Sequence, residues 1–129
     1  MDMNQARRLR AGWLAFACML AGASAQASIC KPKGPQPAGA ILASWAEHRG
    51  HRTASGEIYD ERQLTAAHPA LPLQSIIRIR NLKNGRIVKV RINDRGPGYE
   101  RGIDVSEAAA DVLGMRQCGL AQVLILAAR

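Results

Sequence analysis

Three polar side chains in the middle of the chain belong to the types that cleave sugar bonds. Glu57 lies in a polar loop, Asp94 ends the strongest strand pattern, and His68 ends a short strand-like stretch. Two carboxyl groups beside a glycosidic bond can protonate the leaving oxygen and stabilise the developing positive charge. A nearby histidine can hold a carboxylate or a sugar hydroxyl. The three residues therefore indicate a candidate glycan-cleaving site.

Each of these residues also has an ordinary structural explanation. Asp94 can cap a turn or pair with Arg95, and Glu57 can be a solvated loop charge. His68 precedes Pro69 and can be a structural residue with satisfied hydrogen bonds. The residue types alone therefore leave the catalytic and the structural interpretations open.

The chain offers little for a metal or a cofactor. His48 and His51 lie in a basic loop with Arg49 and Arg52, but two histidines without a third ligand are a weak metal signal. The sequence contains no motif of nucleotide-binding loops, serine hydrolases or zinc peptidases. We therefore expect neither a metal site nor a cofactor.

Short strands must position the candidate site, because the segments around it are apolar or alternate between apolar and polar residues. Strands are predicted over residues 41–45, 63–67, 75–80, 86–92, 103–105 and 121–126. One short helix is predicted between a Ser106 N-cap and a Gly114 C-cap. Several short strands with a single helix and long loops predict a mainly β fold, a small β-barrel.

The two strongest strand patterns form a predicted antiparallel hairpin. Asn84-Gly85 between them is a strong hairpin-turn signal. The outer face of this hairpin is basic, with Arg78, Arg80, Lys89 and Arg91. This face can attract an anionic wall polymer, or it can be an ordinary solvated sheet face.

The amino terminus has the pattern of a secretory signal. Residues 1–10 carry three arginines, residues 11–23 are uncharged and mostly apolar, and small residues follow. We predict a signal peptide over 1–25, a Pro/Gly-rich arm over 26–38 and one domain over 39–129. The apolar run is too short for a stable membrane span. The alternative is a buried helix of the domain. We expect the exported protein in the periplasm or outside the cell.

Composition limits the partners of the chain. The 129 residues carry a net charge of +8, and loss of 1–25 removes three arginines and one aspartate, which leaves +6. An anionic partner fits this charge. Aromatic residues make up only 4%, which argues against stacking on single-stranded nucleic acid. We expect a monomer that binds no nucleic acid.

Two cysteines remain after signal removal, since Cys18 leaves with the signal. Cys30 and Cys118 can form a disulfide in an exported protein, where it would stabilise the fold by roughly 4 kcal/mol. Two free thiols, or a bond to another chain, are the alternatives. Two cysteines are too few for a structural zinc site.

Four segments of the chain together resemble the RlpA family of bacterial cell-wall proteins. They are Ala43-Ser44-Trp45, RTASGEIYDERQLTAAHPALPL (52–73), VRINDRGPG (90–98) and GIDVSEAAADVLGM (102–115). The resemblance covers roughly residues 39–126. It implies a six-stranded double-psi β-barrel with one short helix. We expect a short form of the family, without the carboxy-terminal SPOR domain that many members carry.

The resemblance also implies an activity, namely endolytic lytic transglycosylation of peptidoglycan glycan strands. Such enzymes cleave the MurNAc–GlcNAc bond without water, because the MurNAc 6-hydroxyl attacks its own anomeric carbon and leaves a 1,6-anhydro ring. Carried over, the catalytic residues are Asp94 as the preferred general acid/base, Glu57 as its partner and His68 as a supporting group. Substrate contacts are expected from Trp45, Arg95 and Tyr99.

The chain departs from the family pattern at two aromatic positions. Ala46 follows Trp45 where the family usually has tyrosine, and Gly98 stands where many members have phenylalanine. A non-catalytic, expansin-like module that binds or loosens wall polysaccharide is therefore the alternative function on the same barrel. A secreted protein that acts on another organism's wall is a third possibility.

Overall fold

The computed structural model describes residues 29–45, 47, 49–97 and 102–128. The predicted signal peptide and the start of the arm lie outside these residues, as do His48, Gly98 and Tyr99. The strands are β1 (Ile29–Cys30), β2 (Ile41–Trp45), β3 (Thr65–Ala67), β4 (Ile76–Asn81), β5 (Ile87–Asp94), β6 (Ile103–Val105) and β7 (Leu120–Ala128), and the helix is α1 (Glu107–Leu113). Within the described part, no helix has the length and apolarity needed to cross a membrane.

Six of the strands close into a barrel in the order β7, β2, β6, β3, β5 and β4, and β4 pairs again with β7. The pairs β2–β6 and β3–β5 are parallel, whereas the other pairs within the ring are antiparallel. Closure leaves no free edge in the ring, because each strand pairs with a neighbour on both sides. The predicted mainly β barrel with one short helix is confirmed.

The hairpin of β4 and β5 supplies much of the core. Apolar residues of β4 and β5 alternate with exposed ones, and Ile77 pairs with Val90 while Ile79 pairs with Val88. All four side chains are buried in one apolar cluster. The connection spans residues 82–86, longer than a two-residue turn, with Gly85 in the left-handed region at φ 75°. The predicted hairpin therefore forms with a wider loop.

Helix α1 packs against β5 and has the caps that the sequence predicts. The Ser106 hydroxyl accepts from the Ala109 N–H at 3.2 Å, and Gly114 adopts the left-handed conformation at φ 68°. The buried Asn81 and the neighbouring Asn84 both donate to the Leu113 carbonyl, at 2.8 and 2.9 Å. These bonds satisfy the last turn of the helix and attach it to the hairpin.

A disulfide attaches the amino-terminal segment to the barrel. Cys30 and Cys118 are bonded, with their Cα atoms 5.4 Å apart, which confirms the predicted intramolecular bridge. Ile29 and Cys30 also pair in parallel with Leu120 and Ala121 of β7. This two-residue strand, β1, lies within the segment that the sequence assigned to an arm. Between Lys31 and Ala40 the chain contains no strand.

A bulge between Ala66 and Ala67 sets the register at the end of the barrel where the candidate residues lie. Ala66 pairs with Ile92, but Ala67 pairs with Asp94, so Asn93 is the extra residue of β5. Ile92 and Asn93 are both buried, whereas alternation would bury only one of them. The bulge thus changes the face on which Asp94 lies, as bulges beside active sites commonly do.

Candidate functional site

A cleft of about 650 Å³ opens at this end of the barrel. Four adjacent strands form its floor: β2, β6, β3 and β5. Of the residues expected at the site, the cleft lining includes Trp45, Asp94 and Arg95, but not Glu57 or His68. A cleft of this volume is in the usual range for a ligand site.

Asp94 is the predicted residue with the strongest set of contacts in the cleft. Its Oδ1 accepts from the backbone N–H groups of Ala54 at 3.0 Å and Arg95 at 2.8 Å, and its Oδ2 lies 3.0 Å from His51 Nε2. Burial acts to raise the pKa of Asp94, but the hydrogen bonds from His51 and the two amides outweigh it and hold the pKa below its usual 3.8. Asp94 is therefore ionised at neutral pH.

Glu57 has a different environment, dominated by Arg91. The two side chains form a two-bond ion pair, with Arg91 Nη1 2.6 Å from Oε1 and Nη2 3.1 Å from Oε2. The Ser55 hydroxyl donates to the same carboxylate at 3.0 Å. The hydrogen bond from Arg91, opposed by burial and aided by Ser55, lowers the pKa of Glu57 to about 2. Glu57 thus compensates the charge of Arg91. Arg91 therefore does not add to the positive charge of the predicted basic face.

The Glu57–Arg91 pair connects the loop before β3 to strand β5. In the same loop, the Ser55 N–H donates to the Asn93 carbonyl at 3.0 Å, next to the Ala54 N–H that binds Asp94. The ion pair holds this loop against the bulged end of β5. Glu57 thus lies outside the cleft lining and is connected to Asp94 through the backbone of this loop.

His68 organises the turn that follows β3. Its Nδ1 accepts from the N–H groups of Ala70 and Leu71, both at 3.0 Å, which places the remaining proton on Nε2 of the neutral ring. Burial, with a smaller contribution from the Arg95 charge, lowers the pKa of His68. Arg95 Nη1 in turn donates to the carbonyls of His68 and Leu71. His68 and Arg95 thus support one wall of the cleft.

Trp45 lies where β2 enters the cleft. The Arg116 guanidinium covers its ring at 5.0 Å from the centroid, a cation–π contact. The indole Nε1 is buried and has no hydrogen-bond partner among the described residues. The Trp45 side chain is partly buried and packs against the core cluster.

The structure brings further residues into the cleft that the sequence did not single out for the glycan site. His51 contacts Asp94 across 43 positions, and Tyr59 stacks on His51 with ring centroids 5.9 Å apart. Burial raises the pKa of Tyr59. Ser44 and Asp104 lie on the floor, where the Ser44 hydroxyl donates to Asp104 Oδ1 at 3.2 Å. Asp104 lies between two buried apolar residues of β6. Its signal in the sequence is one charged residue in a strand beside a glycine-rich loop, a pattern that ordinary strands also show.

The described residues contain no group of three or more His, Cys, Asp or Glu side chains arranged to hold a metal ion. His51 contacts the Asp94 carboxylate and the Tyr59 ring. His48, which the sequence placed beside it, lies outside the described residues.

The geometry defines a class of protein: a closed six-stranded β-barrel with a fixed, ionised carboxylate at the end of a strand that forms the floor of a cleft. Within this class, the chain belongs to the lytic transglycolase family, whose domain matches residues 38–125. The match covers more than half of the chain and confirms the resemblance to RlpA.

Curated relatives carry the same name in several bacteria. The chain is 61% identical over 69 residues to endolytic peptidoglycan transglycosylase RlpA of Salmonella typhimurium, which is 53% of this chain and 18% of that protein. It is 51% identical over 86 residues to RlpA of Pseudomonas aeruginosa, 64% of this chain and 25% of that protein. With RlpA of Vibrio cholerae the identity is 46% over 100 residues, 75% of this chain and 37% of that protein. The chain thus spans well under half the length of these relatives.

Solved structures with the same fold are more distant in sequence. The Streptomyces papain inhibitor superposes with a TM-score of 0.55 at 21% identity, over 68% of this chain and 93% of that one. A Clavibacter michiganensis expansin in complex with cellohexaose gives 0.53 at 17% identity, over 68% of this chain and 50% of that one. These similarities confirm the double-psi β-barrel and extend to the fold alone.

Proposed function

We propose that this protein is an endolytic lytic transglycosylase that cleaves the MurNAc–GlcNAc bond of peptidoglycan and forms 1,6-anhydroMurNAc ends. The observation that carries this proposal is Asp94, an ionised carboxylate fixed by three hydrogen-bond contacts in a cleft of about 650 Å³. Membership of the lytic transglycolase family and curated relatives named peptidoglycan transglycosylases support the reaction type.

Asp94 is suited to the base half of this reaction. Its lowered pKa keeps it ionised at neutral pH, so it can accept the proton of the MurNAc 6-hydroxyl as the 6-oxygen bonds to the anomeric carbon. Of the two roles implied by the family resemblance, Asp94 thus takes that of the general base. The reaction needs no cofactor, because carboxyl groups can carry both proton transfers.

We assign the other predicted residues to support and contact. Glu57 positions the loop that donates to Asp94, and His68 positions the turn that carries Leu71. Trp45 and Arg95 line the cleft and would contact the sugar chain. We propose the same contact role for Tyr99, on grounds of sequence alone.

The protein is proposed to work outside the cytoplasm, in the periplasm or after secretion. The disulfide supports this location, since such bonds persist in oxidising compartments. A signal peptide over 1–25, an arm over 26–38 and a catalytic domain over 39–129 complete the proposal. The domain is proposed to act as a monomer.

The test is digestion of intact and peptide-stripped peptidoglycan with the disulfide-bonded protein, followed by mass spectrometry of the new ends. We expect 1,6-anhydroMurNAc ends from the wild type and a loss of at least about 100-fold in Asp94→Asn. The matched control is Asp111→Asn, which makes the same chemical change on the exposed face of α1 and should keep full activity.

Two results would overturn the proposal. Reducing ends in place of anhydro ends would identify a hydrolase. Glycan binding without new ends would favour the expansin-like alternative.

A further inference from the structure

A row of four residues crosses the floor of the cleft. Ser44 on β2 pairs with Asp104 on β6, Asp104 pairs with Ala67 on β3, and Ala67 pairs with Asp94 on β5. Directly paired residues on neighbouring strands project from the same face of a sheet. The Ser44–Asp104 hydrogen bond at 3.2 Å shows this directly for one end of the row.

The row gives the two aspartates a defined spacing. Each is the immediate neighbour of Ala67, on opposite sides, so their Cα atoms are two strand spacings apart, about 10 Å. Both line the same cleft, and the small Ala67 side chain between them leaves the space above it open. A glycosidic linkage can therefore lie over Ala67 with one carboxyl group on each side.

We propose that Asp104 is the second catalytic carboxyl group of this cleft and donates the proton to the leaving sugar. This inference rests on the proposed transglycosylase function and assigns the general acid of that reaction. Asp94 and Asp104 then work as a pair across β3, with Asp94 as the base.

The proton balance closes with these two groups. The bond between C1 of MurNAc and the bridging oxygen O4 of GlcNAc breaks, and O4 takes the proton of the Asp104 carboxylic acid. The bond between O6 and C1 of MurNAc forms, and the proton of O6 passes to the Asp94 carboxylate. Before the next turnover a proton returns from Asp94 to Asp104 through solvent, so no other reactant is consumed.

The other carboxyl groups nearby fit the acid role less well. Glu57 is bound on both oxygens by Arg91 and does not line the cleft. Among the described lining residues, the remaining carboxyl group is Glu47, which is exposed in a loop. Asp104 differs from both because it is half-buried and held on a strand of the floor.

The test is the variant Asp104→Asn, assayed on two substrates. The amide oxygen can still accept from Ser44, so the local structure is preserved. On peptidoglycan we expect at least about a 100-fold loss of anhydro-end formation, the usual scale for removal of a general acid. On the 2,4-dinitrophenyl glycoside of GlcNAc-MurNAc we expect nearly wild-type release, because dinitrophenolate leaves without a proton.

Asp94→Asn is the comparison, and it should be impaired on both substrates because O6 must still lose its proton. Thermal unfolding of both variants checks that they fold. Wild-type rates for Asp104→Asn on peptidoglycan would overturn the acid assignment and leave the proposed function standing. An equal loss on both substrates would also overturn it. Absence of anhydro ends from the wild type would refute the proposed function itself, and the inference with it.

Discussion

Substitution of Glu57 by glutamine separates a structural role of this residue from a catalytic one. The variant keeps the size of the side chain but removes the charge that pairs with Arg91. If the ion pair holds the loop that contains Ala54 against β5, the main effect of the substitution should be a lower free energy of unfolding. Catalysis should fall by a smaller factor, through the looser position of Asp94.

The size of the effect follows from the pKa of Glu57. A change from 4.5 to about 2 corresponds to a ceiling of about 3 kcal/mol in favour of the ionised folded state. The side chains of Glu57 and Arg91 are 34% and 27% exposed, so solvent screening reduces this to about 1–2 kcal/mol. For a domain of about 100 residues, we expect Tm to fall by about 5–10 °C at pH 7.

The pH dependence gives the sign of the effect. The folded pKa of Glu57 lies below the unfolded value, so its contribution is complete above pH 4.5 and is lost as the pH falls toward 2. Denaturant unfolding of wild type and Glu57→Gln at several pH values should therefore show two curves that converge in acid. Arg91→Met, alone and combined with Glu57→Gln, completes a double-mutant cycle for the coupling.

Anhydro-end formation by Glu57→Gln should fall only about 10-fold, since a small displacement of Asp94 is its cause. The control Asp111→Asn should change neither stability nor activity appreciably. An unchanged unfolding free energy together with a loss of activity as large as that of Asp94→Asn would refute the structural role. Glu57 would then have to act in the chemistry itself.

Two further predictions concern the turn after β3 and the disulfide. His68→Ala should lower the free energy of unfolding by about 1–3 kcal/mol, because it leaves the N–H groups of Ala70 and Leu71 without an acceptor. The pKa of His68 in the folded protein lies below 6.5, so the stability that its neutral ring contributes is complete above pH 6.5 and is lost in acid. The free energies of unfolding of wild type and variant should therefore converge as the pH falls below 6.5. If the two free energies of unfolding still differ by the same amount at pH 5, the proposed structural role of His68 is contradicted. The double variant Cys30→Ser/Cys118→Ser should have a free energy of unfolding that is lower by up to about 4 kcal/mol and a Tm that is lower by more than 10 °C. Reductant should destabilise the wild type alone, and an equal response of both proteins would contradict the prediction.

The sequence predicted the parts of the fold that local patterns encode. Alternation in β4 and β5 and the caps of α1 at Ser106 and Gly114 depend on neighbouring residues, and the structure has them as expected. The strand at Ile29–Cys30 was missed because two residues are too few to show an alternation of apolar and polar side chains. Its pairing with β7 joins residues 91 positions apart, Ile29 with Leu120 and Cys30 with Ala121.

The sequence indicated candidate residues for the site but not their geometry. Motif resemblance located Asp94, but the bulge that puts it opposite Ala67 is a property of paired strands and leaves no mark in either sequence segment. Glu57 and Arg91 were recognised separately, as a catalytic partner and as a surface charge. Their pairing across 34 positions could not be deduced from either segment. Asp104 was passed over because one polar residue between Ile103 and Val105 is typical of an ordinary strand.

The pairing of β7 has a consequence for the order of folding. This strand is the last element of the barrel, yet it supplies partners to β1, β2 and β4. A nascent chain that lacks residues 120–128 has two unpaired barrel edges, on β2 and β4, and β1 has lost the strand with which it pairs. Such a chain cannot bury its core, so the cleft should assemble only after synthesis of the domain is complete. Delayed assembly of this kind would keep the proposed glycan cleavage silent until the last strand of the barrel has been made.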